Sequence, residues 1–314
     1  MPILECDPWR EQYFERVQCP GDVIVPTDDP ESWRLFPHHR WVFNKLLICA
    51  TQGLEHGPHG VPPPRYPVFS KPVYNLKGMG AGSRVIHSSA EYADAETPGH
   101  MWMALLEGEH VSTDAAVIDG KAVWWRHASG IAGGGGTFDH WKIAAESRPQ
   151  LERRLGAWLR EHLSGYTGMI NLETIDQHII ECHLRFSDQW PDLYGGDSWV
   201  AAVVDLHARG TWKYDDRARR DGYSIVLWAP HGKTYRVPDK EIVDSILSAA
   251  SISSVQITFH PDRAPDSHSM PPGGFRLAVI NCWDLAAGVA AREKLRAAIR
   301  PSPPPSPASS RERV

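Results

Sequence analysis

No two cysteines in this 314-residue chain are spaced as CxxC. The five thiols, Cys6, Cys19, Cys49, Cys182 and Cys282, are scattered, which argues against a thiolate metal centre and fits reduced cysteines in a cytoplasmic protein. A basic surplus is also missing. Thirty-eight acidic residues face 33 lysines and arginines, a formal charge of −5, so a dedicated nucleic-acid binder is not expected. No apolar run reaches the roughly 18 residues of a membrane-spanning helix. The opening MPILECDPWREQYFERV lacks the basic start and apolar core of a signal peptide, so neither membrane nor secretion is expected. Two common phosphate motifs are absent as well: GxxxxGK[ST], and GxGxxG between a strand and a helix.

Against these absences stands an ordinary globular composition, 42% hydrophobic and 23% charged, long enough to bury a core. Strands and helices come in mixed runs without βαβ alternation, which predicts an α+β fold. The expected divisions are residues 1–54, a short N-terminal lobe; 55–210, a nucleotide- and metal-binding region; 211–300, a C-terminal α+β lobe; and 301–314, a disordered Pro/Ser-rich tail. DVIVP (Asp22 to Pro26) reads as a short strand and Arg40 to Thr51 as a helix. VFSKPVY reads as a strand, and Asp119-Gly120 marks a hairpin turn. GIAGGGGTFDHW (Gly130 to Trp141) reads as an irregular, mobile loop. ESRPQLERRLGAWLREHL has helical spacing. GMINLETIDQHIIECHLRF reads as two strands around a tight turn, and GYSIVLWAP with HGKTYRV as a further hairpin.

Two groups of residues point to chemistry. In YPVFSKPVYNLKGMGAGSRVI, Lys71 lies inside an apolar strand, where burial is costly unless an anion meets it. The glycines that follow offer backbone N–H groups to a phosphate, with Lys77, Gly78, Gly80, Gly82 and Ser83 placed to cover it. The alternative is a lysine snorkelling from a strand end. In IIECHLR, alternation puts Glu181, His183 and Arg185 on one strand face together with Ile179. Glu173 joins that face if the turn at Ile175–Gln177 holds three residues, and leaves it if the turn holds two. Paired carboxylates suit Mg²⁺, whereas imidazole is a poor Mg²⁺ ligand, so a hydrogen-bonding role is expected for His183. A solvated face balanced by Arg185 is the plainer alternative.

Together, KP…GMGAGS…LLEGEHVSTD…NLETI…IIECHLR resembles the ATP-grasp superfamily, over roughly Val42 to Tyr194. The resemblance implies two α+β lobes holding ATP between them. It implies an ATP-dependent ligase that joins a carboxylate to an amine or other nucleophile through an acyl phosphate. By the same resemblance Lys45 and Lys71 would be the ATP lysines, and Asn75 to Ser83 the glycine-rich flap. Met103 to Leu106, including Leu105, would be the adenine hinge, and Glu109 or His110 would meet the ribose. Glu173 and Glu181 would hold Mg²⁺ or Mn²⁺, with His183 a further candidate, and Arg185 would approach the phosphate or acyl phosphate as a catalytic group beside Lys71. Two departures stand out. His183 occupies the place of the family's usual metal-binding asparagine, and the segment before Lys45 is short, so that a second copy or partner could complete the substrate site. Arg126 and Arg276 are candidates for holding a small carboxylate substrate, a surface or structural role being the alternative. A degenerate, non-catalytic nucleotide-binding protein is the rival reading.

Overall fold

The structure, a computed structural model, describes residues 12–74, 76, 80, 82–268 and 270–301. Along the chain come α1 (Asp29–Leu35), a 3-10 turn (Arg40–Phe43), α2 (Lys45–Ala50), β1 (His56–Pro58), β2 (Val68–Pro72), β3 (Arg84–Ile86), α3 (Ser89–Ala95) and β4 (His100–Ala104). Then follow β5 (His110–Ile118), β6 (Lys121–Gly134), β7 (Thr137–Ile143), α4 (Pro149–His162), β8 (Gly168–Ile175), β9 (His178–His183) and α5 (Asp197–Arg209). The last elements are β10 (Gly222–Ala229), α6 (Lys240–Leu247), β11 (Ile252–Ile257), β12 (Phe275–Cys282) and α7 (Leu285–Ala298).

These strands build two antiparallel sheets, one of four strands in the order β1-β4-β2-β3 and one of eight in the order β11-β12-β10-β7-β6-β5-β8-β9. Residues 105–109 carry the chain from the small sheet into the large one. The mixed helix and antiparallel-sheet content is the expected α+β class. On one face of the large sheet, α4 lays Leu151, Leu155, Trp158 and Leu159 against Val111, Ile170, Leu172 and Cys182. On the other, α5 lays Trp199, Val203 and Leu206 against Ala116, Trp124 and Met169. Residue 211 falls between α5 and β10, and β10 continues the large sheet by pairing with β7.

The turn Asp119-Gly120 is as expected: both residues have positive φ, 50° and 72°, the two-residue hairpin geometry that Asp-Gly favours. Four local expectations change. DVIVP forms no strand among the described residues and contributes a single bridge residue, Val25. The Arg40–Thr51 helix breaks at Asn44, whose side chain accepts from Leu46 N–H at 3.0 Å and so caps α2. HGKTYRV adds no strand to β10; its Tyr235 bridges Pro301 instead, while β10 pairs with β7 and β12. GIAGGGGTFDHW is no irregular loop but the meeting of β6 and β7. Its glycines serve close approach: a Cβ on Gly130 would stand 2.6 Å from the Phe138 ring, and one on Gly135 would stand 2.7 Å from Gly273. No helix among the described residues is long and apolar enough to cross a membrane.

His207 on α5 packs under Gly168 and Tyr166, with Nε2 sealed from solvent and without a hydrogen-bond partner. Burial pushes its imidazole down to about 4 from the ordinary 6.5. A histidine that charges only on unfolding contributes stability above pH 6.5, and that contribution is lost as the pH falls toward 4. Acidification through this window is therefore expected to cost about 2–3 kcal/mol through His207. The His207→Phe variant should flatten that part of the urea-midpoint profile against pH, and an unchanged profile would show that the residue does not couple to folding.

Candidate functional site

Sheet register brings the carboxylates together, by a route other than turn length. The β8–β9 turn holds two residues, Asp176 and Gln177, with φ of 47° and 64°. Alone, it would set Glu173 and Glu181 on opposite faces. A β-bulge corrects this: Thr174 pairs with Ile179 and Glu173 with Glu181, leaving Ile180 without a partner. The bulge also moves Ile179 to the opposite face from the one expected. Ile179 joins Cys182 and Leu172 in the core beneath α4.

On the carboxylate face, adjacent strands add a polar row. His183 pairs with Asn171, Asn171 with Asp114, and Asp114 with Arg126 across β9, β8, β5 and β6. Asn171 Nδ2 donates to Asp114 Oδ1 at 2.8 Å, and Tyr194 and the Ser187 N–H also donate to that carboxylate. Burial nevertheless raises the Asp114 carboxyl to about 6.

Of the two expected lysines, Lys45 pairs with a carboxylate and Lys71 with the backbone beside it. Lys45, the first residue of α2, lies 3.3 Å from Glu181 Oε1. Lys71, on β2 of the small sheet, donates from Nζ to the carbonyl of the bulged Ile180 at 2.8 Å. They are 5% and 3% exposed, so neither snorkels to water. Burial lowers the Lys71 ammonium below its ordinary range, Glu181 opposes the shift and Lys45 adds to it. Burial would raise both glutamates, yet both are held below the ordinary carboxyl range, Glu173 by His110 and Glu181 chiefly by Lys45. His110 contacts Glu173 Oε2 at 3.0 Å, and its ring packs edge-on to Phe138 and Trp141.

The residue that sequence reasoning missed is Asp29, on α1. It lies fully buried against β9, accepting from His183 Nδ1 at 2.8 Å and meeting Arg185 Nε at 2.9 Å. Burial opposes an imidazolium at His183, but Asp29 outweighs it and holds the ring up at about 9. Arg185 gives a second hydrogen bond to the Phe186 carbonyl. Only the N-cap pattern Asp28-Asp29-Pro30-Glu31 signalled an element here, and nothing local tied it to β9.

Other candidates stand farther off. Arg126 is buried beneath Tyr194, bonded to Asp216 and the Arg220 carbonyl, and three strand spacings, about 14 Å, from His183. Arg276 is buried on β12, in the third of the chain remote from β9. Glu109 is committed to a bidentate pair with Arg148, at 2.6 and 2.8 Å, which with Ser129 holds it down at about 2. Leu105 and Leu106 lie half-buried in the connection between the sheets, Leu106 packing near Met103 and Ile180. Gly80, Gly82 and Ser83 lie between β2 and β3, with Ser83 N–H bonded to the Gly80 carbonyl at 3.1 Å. Lys77 and Gly78 lie outside the described residues.

No family model matches the sequence, and no curated protein sequence matches it. Solved structures do resemble it. An L-amino acid ligase from Bacillus licheniformis superposes with a TM-score of 0.61 at 12% identity, over 93% of this chain and 83% of that one. A phosphoribosylamine–glycine ligase from Thermotoga maritima gives 0.60 at 13% identity, over 90% and 84%. A carboxyaminoimidazole ribonucleotide synthase from Aspergillus clavatus, solved with ATP, gives 0.58 at 11%, over 88% and 82%. The chain has the ATP-grasp fold. Ligand atoms of Glu173, Glu181 and His183 all lie within 4.8 Å of one another, and the two carboxylates are the hard oxygen donors that Mg²⁺ or Mn²⁺ takes. A divalent cation therefore fits the donor set.

Asp29 should be a stability hot spot. Asp29→Ala leaves the buried Arg185 and His183 facing each other uncompensated and is expected to cost about 3–5 kcal/mol. Asp29→Asn, which keeps an acceptor for His183, should cost less. Urea unfolding of the two variants checks the order, and equal losses below 1 kcal/mol would contradict the pairing.

Proposed function

We propose that this protein is an ATP-dependent ligase that joins a small-molecule carboxylate to an amine or other nucleophile, releasing ADP and phosphate. One observation carries the reading. Within an ATP-grasp fold, Lys45 and Lys71 converge from α2 and from the small sheet on the Glu173–Glu181 pair. The neighbours in structure include proteins named as ligases, and one was solved with ATP.

The residues meet the demands of phosphoryl transfer, which are positioning and neutralisation of charge. Lys45 and Lys71 are desolvated ammonium groups, the first at the Glu181 carboxylate and the second at the adjacent Ile180 carbonyl, able to turn toward a polyphosphate. Lys71 is the nearer to the small sheet, so its contact would couple that sheet to the bound nucleotide. A divalent cation held by Glu173 and Glu181 would supply further neutralisation of phosphate oxygens. Arg185, fixed by Asp29, lies two residues past the end of β9 and not on the strand as alternation had suggested; there it would suit a phosphate or acyl-phosphate oxygen. The connection at Leu105 and Leu106 is where backbone groups would read the base, and Gly80, Gly82 and Ser83 belong to the segment that would cover the phosphates. The aromatic wall of His110, Phe138 and Trp141 gives an apolar boundary beside Glu173, able to keep water from a reactive intermediate.

Lys71→Ala and Glu181→Ala are each expected to lower ADP release by about 100-fold or more, with the circular dichroism spectrum unchanged. The assay is ADP formation with a panel of carboxylates and amines. Full turnover in both variants would overturn the site assignment. Tight nucleotide binding without turnover for any acid–amine pair would instead support a non-catalytic nucleotide-binding protein.

A further inference from the structure

His183 sits where its ring can do more than hydrogen-bond. Its side chain is 6% exposed, and Nε2 points between the two carboxylates, 3.6 Å from Glu181 Oε2 and 3.8 Å from Glu173 Oε1. Those gaps are too long for hydrogen bonds. They are close to the spacing of neighbouring ligands around one shared ion, about 3.0–3.4 Å when each lies about 2.1 Å from it. Shifts of a few tenths of an ångström would close the set.

The other ring nitrogen is already committed. Nδ1 donates to Asp29 Oδ2 at 2.8 Å, and Asp29 is fixed in turn by Arg185 Nε at 2.9 Å. A carboxylate on the far nitrogen of a histidine is the general arrangement that orients an imidazole toward a metal and raises its donor strength. Here it is built between two remote parts of the chain, α1 and β9, with both side chains buried. A hydrogen bond to the sheet would not require that second partner.

We propose that His183 binds a divalent cation through Nε2 together with Glu173 and Glu181, that Asp29 is its positioning residue, and that the site consequently prefers a borderline first-row cation such as Mn²⁺ or Co²⁺ over Mg²⁺. The inference rests on the reading that the two glutamates hold a metal. Two hard oxygens and one imidazole nitrogen are a poorer set for Mg²⁺, which favours oxygen alone, than for a first-row ion that accepts both donors.

The test uses the full chain without nucleotide. Free Mn²⁺ is titrated by electron paramagnetic resonance, Mg²⁺ is used as competitor, and pulsed measurements look for nitrogen hyperfine coupling to bound Mn²⁺. Wild-type protein should show that coupling. His183→Asn, which offers an amide oxygen, should lose it and shift the Mn²⁺-over-Mg²⁺ preference by about tenfold toward Mg²⁺. Asp29→Asn should keep the coupling and weaken Mn²⁺ about 10–100-fold. Bound Mn²⁺ without nitrogen coupling in the wild type overturns the proposal, and this readout needs no variant to fold. An unchanged preference in His183→Asn, or no Mn²⁺ binding at millimolar concentration, overturns it too. Nitrogen-coupled Mn²⁺ in a protein that never releases ADP would uphold this inference while removing the ligase reading.

Discussion

Two like charges directly opposite each other on one sheet face are the constraint around which the site is arranged. Glu173 and Glu181 are cross-strand partners on adjacent strands, a pairing that repels when nothing stands between or beside it. The surrounding structure supplies that compensation from four directions. His110 comes from the neighbouring strand, Lys45 from α2, Lys71 from the other sheet and His183 from two residues along the same strand. Lys45, Lys71 and His183 are themselves buried, so each side of the cluster needs the other. Removing either set would strand charge in a low-dielectric interior.

This arrangement explains why β9 can stand at the end of an eight-stranded sheet. An open edge strand invites pairing with another chain. Here Gln52, just past α2, accepts from Ile179 N–H and donates to the Ile179 carbonyl, both at 2.8 Å, and Lys71 takes the carbonyl of Ile180. The edge is thus capped by side chains from the N-terminal segment and the small sheet. Lys71 belongs to both tasks, capping the edge at Ile180 and placing its charge beside Glu181, so edge protection and site assembly overlap there.

Parts of this were legible from residue order. The lysine in SKP, the pair of glutamates around a turn and the Asp-Gly hairpin are local signals. Glycine density misled in GIAGGGGTFDHW, because the small residues there make room for Phe138 and Gly273 across strands. Phe138 is met only when β6 pairs with β7, and Gly273 lies far away in the chain. HGKTYRV had the composition of a strand, but its Tyr235 bridges Pro301, a partner far along the chain, rather than β10.

The sequence by itself determined which chemical groups are available near β9 and that their chain neighbours alternate between core and site. It left the side of Glu173 open, because turn length and strand alternation gave two answers. Only the tertiary structure decided it, through the extra residue Ile180 that shifts the register and turns both carboxylates to one face. It also decided the state of His183. An imidazole two residues from a glutamate can be ligand, donor or bystander. Asp29, 154 positions away, is buried against it because α1 folds over the edge of the sheet. Strand periodicity propagates over a few residues, whereas a buried ion pair between distant segments is fixed only when the chain closes on itself.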